Sequence, residues 1–403
     1  MQLPEGWRQG LFEEGIELIS GQHVEASLVN ESEDGKPYLT GPADFPDGKI
    51  KVTKYTNYAT KFCNKGDLLI TVKGSGTGKV IESDNQYAIS RQLMAVRASV
   101  FEPKFTFYNL VASVARYEGA AAGLIPGITR DDVLHTPLLI PPFPEQQKIA
   151  QILSTWDKAI EKLEALIAAK QKRKKALMQQ LLTGKMRFAE FVKSEGIQQT
   201  KFGTIPSDWQ YLHITEVAKQ FSVKNNVGHD LPVLSCTKHY GLVDSLSYFG
   251  KQIFSEDTST YKVVLRNSFA YATNHIEEGS IGYQNLYDKA LISPMYTVFQ
   301  TNENINDEFL YRLLKTELYR HIFEVNTSAS VDRRGSLRWD QFSAIKIPVP
   351  SLPEQQKIAS FFAVTDTEIE THQKQLSALK EQKKGLMQQL LTGKKRVKVD
   401  AHV

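Results

Sequence analysis

IPPFPEQQKIAQILSTWDKAIEKLEALIAAKQKRKKALMQQLLTGKMRF, Ile140 to Phe188, and VPSLPEQQKIASFFAVTDTEIETHQKQLSALKEQKKGLMQQLLTGKKRV, Val349 to Val397, organise this 403-residue chain. Laid over each other at an offset of 209 they agree at 24 of 49 positions, with PEQQKIA and LMQQLLTGK recurring intact. Chance does not produce that twice at one offset, so the chain carries two copies of one unit. Each copy reads as a single long helix. Pro144 and Glu145 supply a start and Gly184 a stop, and Pro353, Glu354 and Gly393 repeat the arrangement.

Alternating steps of four and three pick out a heptad seam in the first copy: Ile149, Leu153, Trp156, Ile160, Leu163, Ile167, Lys170, Lys174, Leu177 and Leu181. The second copy gives Ile358, Phe362, Thr365, Ile369, His372, Leu376, Leu379, Lys383, Leu386 and Leu390. At ~1.5 Å per residue each helix is a rod of roughly 58 Å. One such rod cannot bury its own seam, so the two pack on each other, on a partner, or on both.

Outside the repeats the texture changes to short β-type runs separated by Gly, Asn and Pro: Lys49 to Tyr55, Asp67 to Val72 and Tyr87 to Arg97, then Tyr261 to Leu265, Phe269 to Thr273 and Leu291 to Gln300. Each half adds a helical stretch, Phe105 to Tyr117 and Asp307 to Val325. A weak echo joins the halves: PEGW ending at Trp7 matches PSDW ending at Trp209, and glycine turns at Gly78 and Gly282 precede Ser90 and Ser293. The expected architecture is mixed α/β. Two globular domains, 1–143 and 189–352, alternate with two long antiparallel coiled-coil helices, 144–188 and 353–397, in a pseudo-twofold arrangement, before a tail at 398–403.

The net charge of +4 divides unevenly. Residues 1–139 carry −3 and 200–347 carry −1, whereas 140–199 carry +5 and 348–403 carry +3, so the basic excess sits in the repeats. Cys63 and Cys236 stand far apart without a CxxC partner, which argues against a zinc site or a disulfide framework and for a reducing cytoplasm. No run approaches the ~18 apolar residues of a membrane helix, so no membrane partner is expected.

PEQQKIA after a proline-rich entry, a long helix and LMQQLLTGK, all twice and flanking two dissimilar domains, resembles the specificity subunits of type I restriction-modification systems. The resemblance spans the whole chain and is strongest in the repeats. It implies that each variable domain is a target recognition domain reading one half of a bipartite asymmetric site in double-stranded DNA. It also implies that the helices set the unread gap and bind two modification (methyltransferase) subunits, with ATP-dependent restriction subunits joining the complex. The chain itself is then non-catalytic. S-adenosylmethionine, ATP and magnesium belong to partner subunits, and no metal site is expected here. This fits the sequence, which has neither the glycine-rich cofactor motif nor the Asn/Asp-Pro-Pro-aromatic motif of an adenine methyltransferase. The opposing reading is a coiled-coil scaffold or adaptor without sequence-specific DNA readout; a target domain that modulates another complex also stays open.

Candidate DNA contacts follow from residue type. VKGSGTGKV (Val72 to Val80) lacks the first glycine and the final Ser/Thr of a phosphate loop, and the resemblance makes it a DNA-facing turn with Lys73 and Lys79 on phosphate and Ser75 or Thr77 near base edges. Arg91 lies in YAISRQLMAV, and VDRRGSLRW (Val331 to Trp339) carries Arg333, Arg334 and Arg338, a residue type suited to phosphate or bidentate guanine contact. Asn274 and His275 precede a turn and suit adenine or phosphate, although both are also common turn formers. The lysine-rich runs at Lys172 to Lys175 and Lys383-Lys384 either grip the DNA backbone or solvate a helix face.

Overall fold

The two repeats form α-helices Phe143–Leu181 and Leu352–Leu391, of 39 and 40 residues. Each starts one residue before the expected proline. This is tolerated because the first N–H groups of a helix lack intrahelical acceptors, so a proline there loses no bond. The computed structural model describes residues 3–74, 76–120, 127–201, 203–226, 228, 230–327 and 336–399.

The chain divides into two compact units, Met1–Ala165 with Lys374–Val403, and Leu166–Gln373. Each unit takes about half of each long helix. In the first unit Glu164 pairs with Lys380 at 2.6 Å and Asp157 with Lys383, so the two helix halves run antiparallel. In the second, Lys170 pairs with Glu368 at 2.6 Å and Lys174 with Asp366, again antiparallel.

Along the seam Ile149, Leu153, Ile167, Leu181, Ile358, Phe362, Ile369 and Leu390 are buried, while Trp156, Ile160, Leu163, Leu177, Leu376, Leu379 and Leu386 are partly buried. The seam ends merge with the globular cores. Ile149, Leu153 and Leu390 join Phe12, Phe105 and Tyr108 in the first unit, and Leu181, Ile358 and Phe362 join Phe309, Leu313 and Phe342 in the second.

The two globular parts share one strand order. In the first, a sheet orders Ile16–Ser20, Leu93–Ala98, Leu68–Thr71 and Val80–Glu82, and another orders Tyr55–Thr56, Lys36–Leu39, Tyr87–Ile89 and Phe62–Cys63. In the second, the matching sheets are Ala218–Gln220, Tyr296–Thr301, Ser268–Ala272 and Ile281–Gln284, and Gly241–Asp244, Val233–Thr237, Lys289–Ile292 and Lys262–Leu265. Each domain has a single parallel pairing between named strands, Tyr38–Leu39 beside Ala88–Ile89 and Val233–Leu234 beside Leu291–Ile292. A two-stranded ladder closes each domain onto its long helix, Arg8–Leu11 with Pro137–Ile140 and Gln210–His213 with Lys346–Val349.

Several expected elements differ. Tyr87 to Arg97 and Leu291 to Gln300 are each two strands in two sheets, broken at Ser90–Gln92 and Ser293–Met295. The Ser90 hydroxyl donates to the Thr40 carbonyl at 2.7 Å and accepts from Gln92 N at 3.1 Å, which holds the turn. Of the Lys49 to Tyr55 run only Tyr55 is strand, opening Tyr55–Thr56; Lys51 N donates instead to the Asp44 carbonyl. The helical stretches break into Pro103–Ala112 with Val114–Ala120, and Asp307–Leu314 with Glu317–Asn326. Ser113 and Thr316 stand at the breaks, their hydroxyls bonding to the Asn109 and Leu313 carbonyls at 2.8 and 2.7 Å. Gly282 is not a turn residue. It lies within Ile281–Gln284, where a Cβ would fall 2.4 Å from Leu242 N, and the turn glycine is Gly279 at φ +95°. Among the described residues no helix is long and apolar enough to cross a membrane.

Candidate nucleic-acid interface

The repeated PEQQ motif builds the same socket in each unit. In the first, Trp7 Nε1–H donates to Glu145 Oε2 at 3.1 Å and the Arg396 guanidinium pairs with the same carboxylate. In the second, Trp209 Nε1–H donates to Glu354 Oε2 at 3.2 Å and Arg187 pairs with Glu354 at 2.8 and 2.9 Å. The next residue clamps backbone. Gln146 accepts from Glu102 N and donates to the Pro141 carbonyl, as Gln355 accepts from Asn306 N and donates to the Pro350 carbonyl. Bonding to Glu354, with Asp208 beside it, holds the Arg187 guanidinium even more firmly protonated than usual. The glycine of LTGK seats against the same tryptophan: at Gly184 a Cβ would lie 2.4 Å from Pro206 and 3.3 Å from Trp209, and at Gly393 2.8 Å from Pro4 and 3.3 Å from Trp7. Each unit thus takes PEQQ from one repeat and LTGKxR from the other.

A second repeated contact fastens each globular part to its helix pair. Asp157 accepts from Tyr108 Oη at 2.6 Å and pairs with Lys383; Asp366 accepts from Arg312 Nη1 at 2.8 Å and pairs with Lys174. Burial, then the bond to Asp157, raises the Tyr108 phenol well above its ordinary range, so it stays a donor. Lys174 and Lys383 therefore form ion pairs within the helix pairs. Lys172, Arg173, Lys175 and Lys384 are exposed.

The triads differ in one member, and that difference is testable. Asp366→Asn should destabilise the protein by about 2–3 kcal/mol, because it strips a charged partner from Arg312, whose side chain is only 12% exposed. Asp157→Asn should cost about 1 kcal/mol, since Asn still accepts from the neutral Tyr108 phenol, which also has Ser154 Oγ at 3.2 Å. Equal urea midpoints for the two variants would contradict this.

The candidate DNA contacts gather where each chain crosses between its sheets. Val72 N donates to the Gln92 carbonyl at 2.8 Å, placing Lys73 and Arg91 one residue either side of that bond; both are exposed. In the second domain Leu337 N donates to the Thr273 carbonyl at 2.9 Å, which brings Asn274 and Arg338 to the same edge, with His275 next in sequence. Ile128 N makes the matching bond to Val72 O, so Lys73 and Asn274 occupy equivalent places in the two domains. Thr77 turns its hydroxyl inward to the Gly74 carbonyl at 2.7 Å, and Lys79 Nζ donates to the Phe45 carbonyl at 3.1 Å. Lys79 is thereby held against its own domain. Arg338 opens the helix Trp339–Ser343, its N–H bonding to Gln341 Oε1 at 3.0 Å. Ser75, Arg333 and Arg334 lie outside the described residues.

His275, Glu277 and Glu278 bring their ligand atoms within 4.8 Å of one another. His275 Nδ1 is 3.4 Å from Glu278 Oε1, both side chains about half exposed, a contact between surface side chains.

Residues 4–171 and 206–381 each match the type I restriction modification DNA specificity domain. The chain belongs to this family. It is a type I specificity subunit carrying two copies of the DNA specificity domain, and the scaffold reading gives way to one of DNA target recognition. The MjaVIII specificity subunit of Methanocaldococcus jannaschii is 27% identical over 99% of this chain and 95% of its own length. The fold is similar to the S subunit of M. genitalium, at TM-score 0.57 and 19% identity over 97% and 98% of the two chains. It is also similar to the HsdS subunit of Thermoanaerobacter tengcongensis, at TM-score 0.52 and 17% identity over 98% of both.

Sequence reasoning missed the tryptophan–glutamate–arginine sockets and the aspartate pins of this specificity subunit. The signal for the sockets was present: Trp7 and Trp209, Glu145 and Glu354, and Arg187 and Arg396 all recur between the halves. The pins were masked because Tyr108 and Arg312 differ in kind.

Proposed function

We propose that each recognition domain reads one half of a bipartite asymmetric site, that the paired helices set the gap and bind two modification subunits, and that restriction subunits complete the assembly. The chain works as a non-catalytic cytoplasmic subunit, with S-adenosylmethionine, ATP and magnesium handled by its partners. One observation carries this reading: two domains of identical strand order, fastened to their helices by equivalent sockets, present different side chains at the same edge. A shared frame with divergent edges is what reading two unlike half-sites requires.

Binding by Lys73, Arg91 and Arg338 to phosphate or base edges releases counterions, so affinity falls steeply with salt. For the complex purified with its modification subunit, fluorescence anisotropy on a duplex bearing the target should show log affinity falling linearly with log salt. Six to ten phosphate contacts would lower affinity by roughly 10³–10⁵ between 50 and 200 mM. Binding unchanged over that range would overturn the DNA reading.

A further inference from the structure

At the carboxyl ends of the parallel strand pair, each domain holds a cleft beneath its sheet-crossing turn. The first, of about 420 Å³, is floored by Tyr38, Thr40 and Ser90; the second, of about 270 Å³, by Val233, Ser235 and Ser293. These floors occupy equivalent places. Tyr38–Leu39 pairs in parallel with Ala88–Ile89 as Val233–Leu234 pairs with Leu291–Ile292, and Leu93 and Tyr296 each donate N–H to the serine carbonyl three residues earlier.

The walls, by contrast, share little chemistry. The first cleft is lined by the cations Lys54 and Arg91 with His23 and Gln92, and by Asn30 and Glu31, which add acceptors. The second is lined by Asn274, His275 and the exposed apolar Met295.

We infer that these two clefts are the base-reading sites, with Arg91 meeting a guanine edge in one half-site and Asn274 an adenine edge in the other. The inference rests on the DNA-recognition reading above and assigns it to particular side chains. Arg91 offers only donors and is exposed at the turn tip, which suits the paired O6 and N7 acceptors of guanine. Asn274 supplies one donor and one acceptor, the pair that N7 and N6 of adenine require. Met295, 69% exposed, provides apolar contact for a thymine methyl beside it. Ser90, bonded to Thr40, holds the first turn in place, and in the second floor Ser235 Oγ lies 3.0 Å from Ser245 Oγ.

The test co-expresses Arg91→Ala, Arg91→Lys and Asn274→Ala, each with the modification subunit, and sequences the host methylome beside the wild type. Arg91→Ala is expected to make one G·C position of a single half-site degenerate, with discrimination there falling roughly 5- to 150-fold while the other half and the gap stay the same. Asn274→Ala should do likewise at an A·T position of the other half. Arg91→Lys keeps the charge and loses the bidentate fork, so it should relax the same position.

An unrelaxed motif in all three variants overturns the cleft assignment, while the wild-type motif still upholds DNA recognition. So does a motif lost in Arg91→Ala but fully specific in Arg91→Lys, which marks a phosphate contact. Absence of any motif with the wild-type chain counts against the DNA reading itself. Thermal melts of the purified complexes, expected to match wild type for exposed Arg91 and to fall only slightly for half-buried Asn274, separate a folding defect from lost readout.

Discussion

Arg187→Ala is expected to destabilise the unit Leu166–Gln373 by about 3 kcal/mol, lowering its melting temperature by roughly 6–12 °C. Glu354 is 1% exposed and Arg187 7%, so the ion pair is desolvated on both sides. Two of its hydrogen bonds, at 2.8 and 2.9 Å, are charge-assisted and parallel. Removing the arginine leaves a buried carboxylate with the Trp209 indole N–H as its remaining side-chain donor, and an uncompensated buried charge is far more costly than the pair is stabilising. Asp208, which Arg187 also grips at 2.7 Å, loses its partner in the same step. Arg396→Ala should have a smaller effect, because that guanidinium is 43% exposed and water replaces it readily. Calorimetry showing both variants melting with wild type would contradict the socket's role.

Inserting four residues after Ala168 is expected to lengthen the gap of the recognised site by one or two base pairs while both half-sites stay unchanged. Ala168 is exposed on Phe143–Leu181, the helix that both compact units share. Four residues add about one turn, roughly 6 Å, and DNA rises about 3.4 Å per base pair. The insertion restores the facing of the seam to within part of a turn, so Ile149 and Leu153 before it, and Leu177 and Leu181 after it, keep facing their own cores. An unchanged gap in the methylome of the insertion variant would sink the helix as a ruler.

The repeats were legible because strong local signals and tertiary need agree there. Pro144, Glu145 and Gly184 bound a helix, the four–three steps name its inward face, and even the seam lysines 170, 174 and 383 point inward to acidic partners. The globular halves were less legible because their strands are short and chosen by tertiary bonds. Nothing local in YAISRQLMAV announces that Ser90 will bond to Thr40 and split one run between two sheets. The same limit applies to Lys79, whose bond to the Phe45 carbonyl, 34 residues away, no local signal announces. Residue type alone nominates Lys73, Arg91 and Asn274. That Lys73 and Arg91 flank one bond in the first domain, and Asn274 and Arg338 one bond in the second, emerges only from the fold.

The most direct measurement is single-molecule methylome sequencing of a host expressing this chain with its modification subunit. A single bipartite asymmetric motif, with N6-methyladenine in each half and a fixed gap, is the result expected of two recognition domains on a helical ruler. A complex that forms but methylates no such motif, or one whose halves are separated by no constant distance, would contradict it.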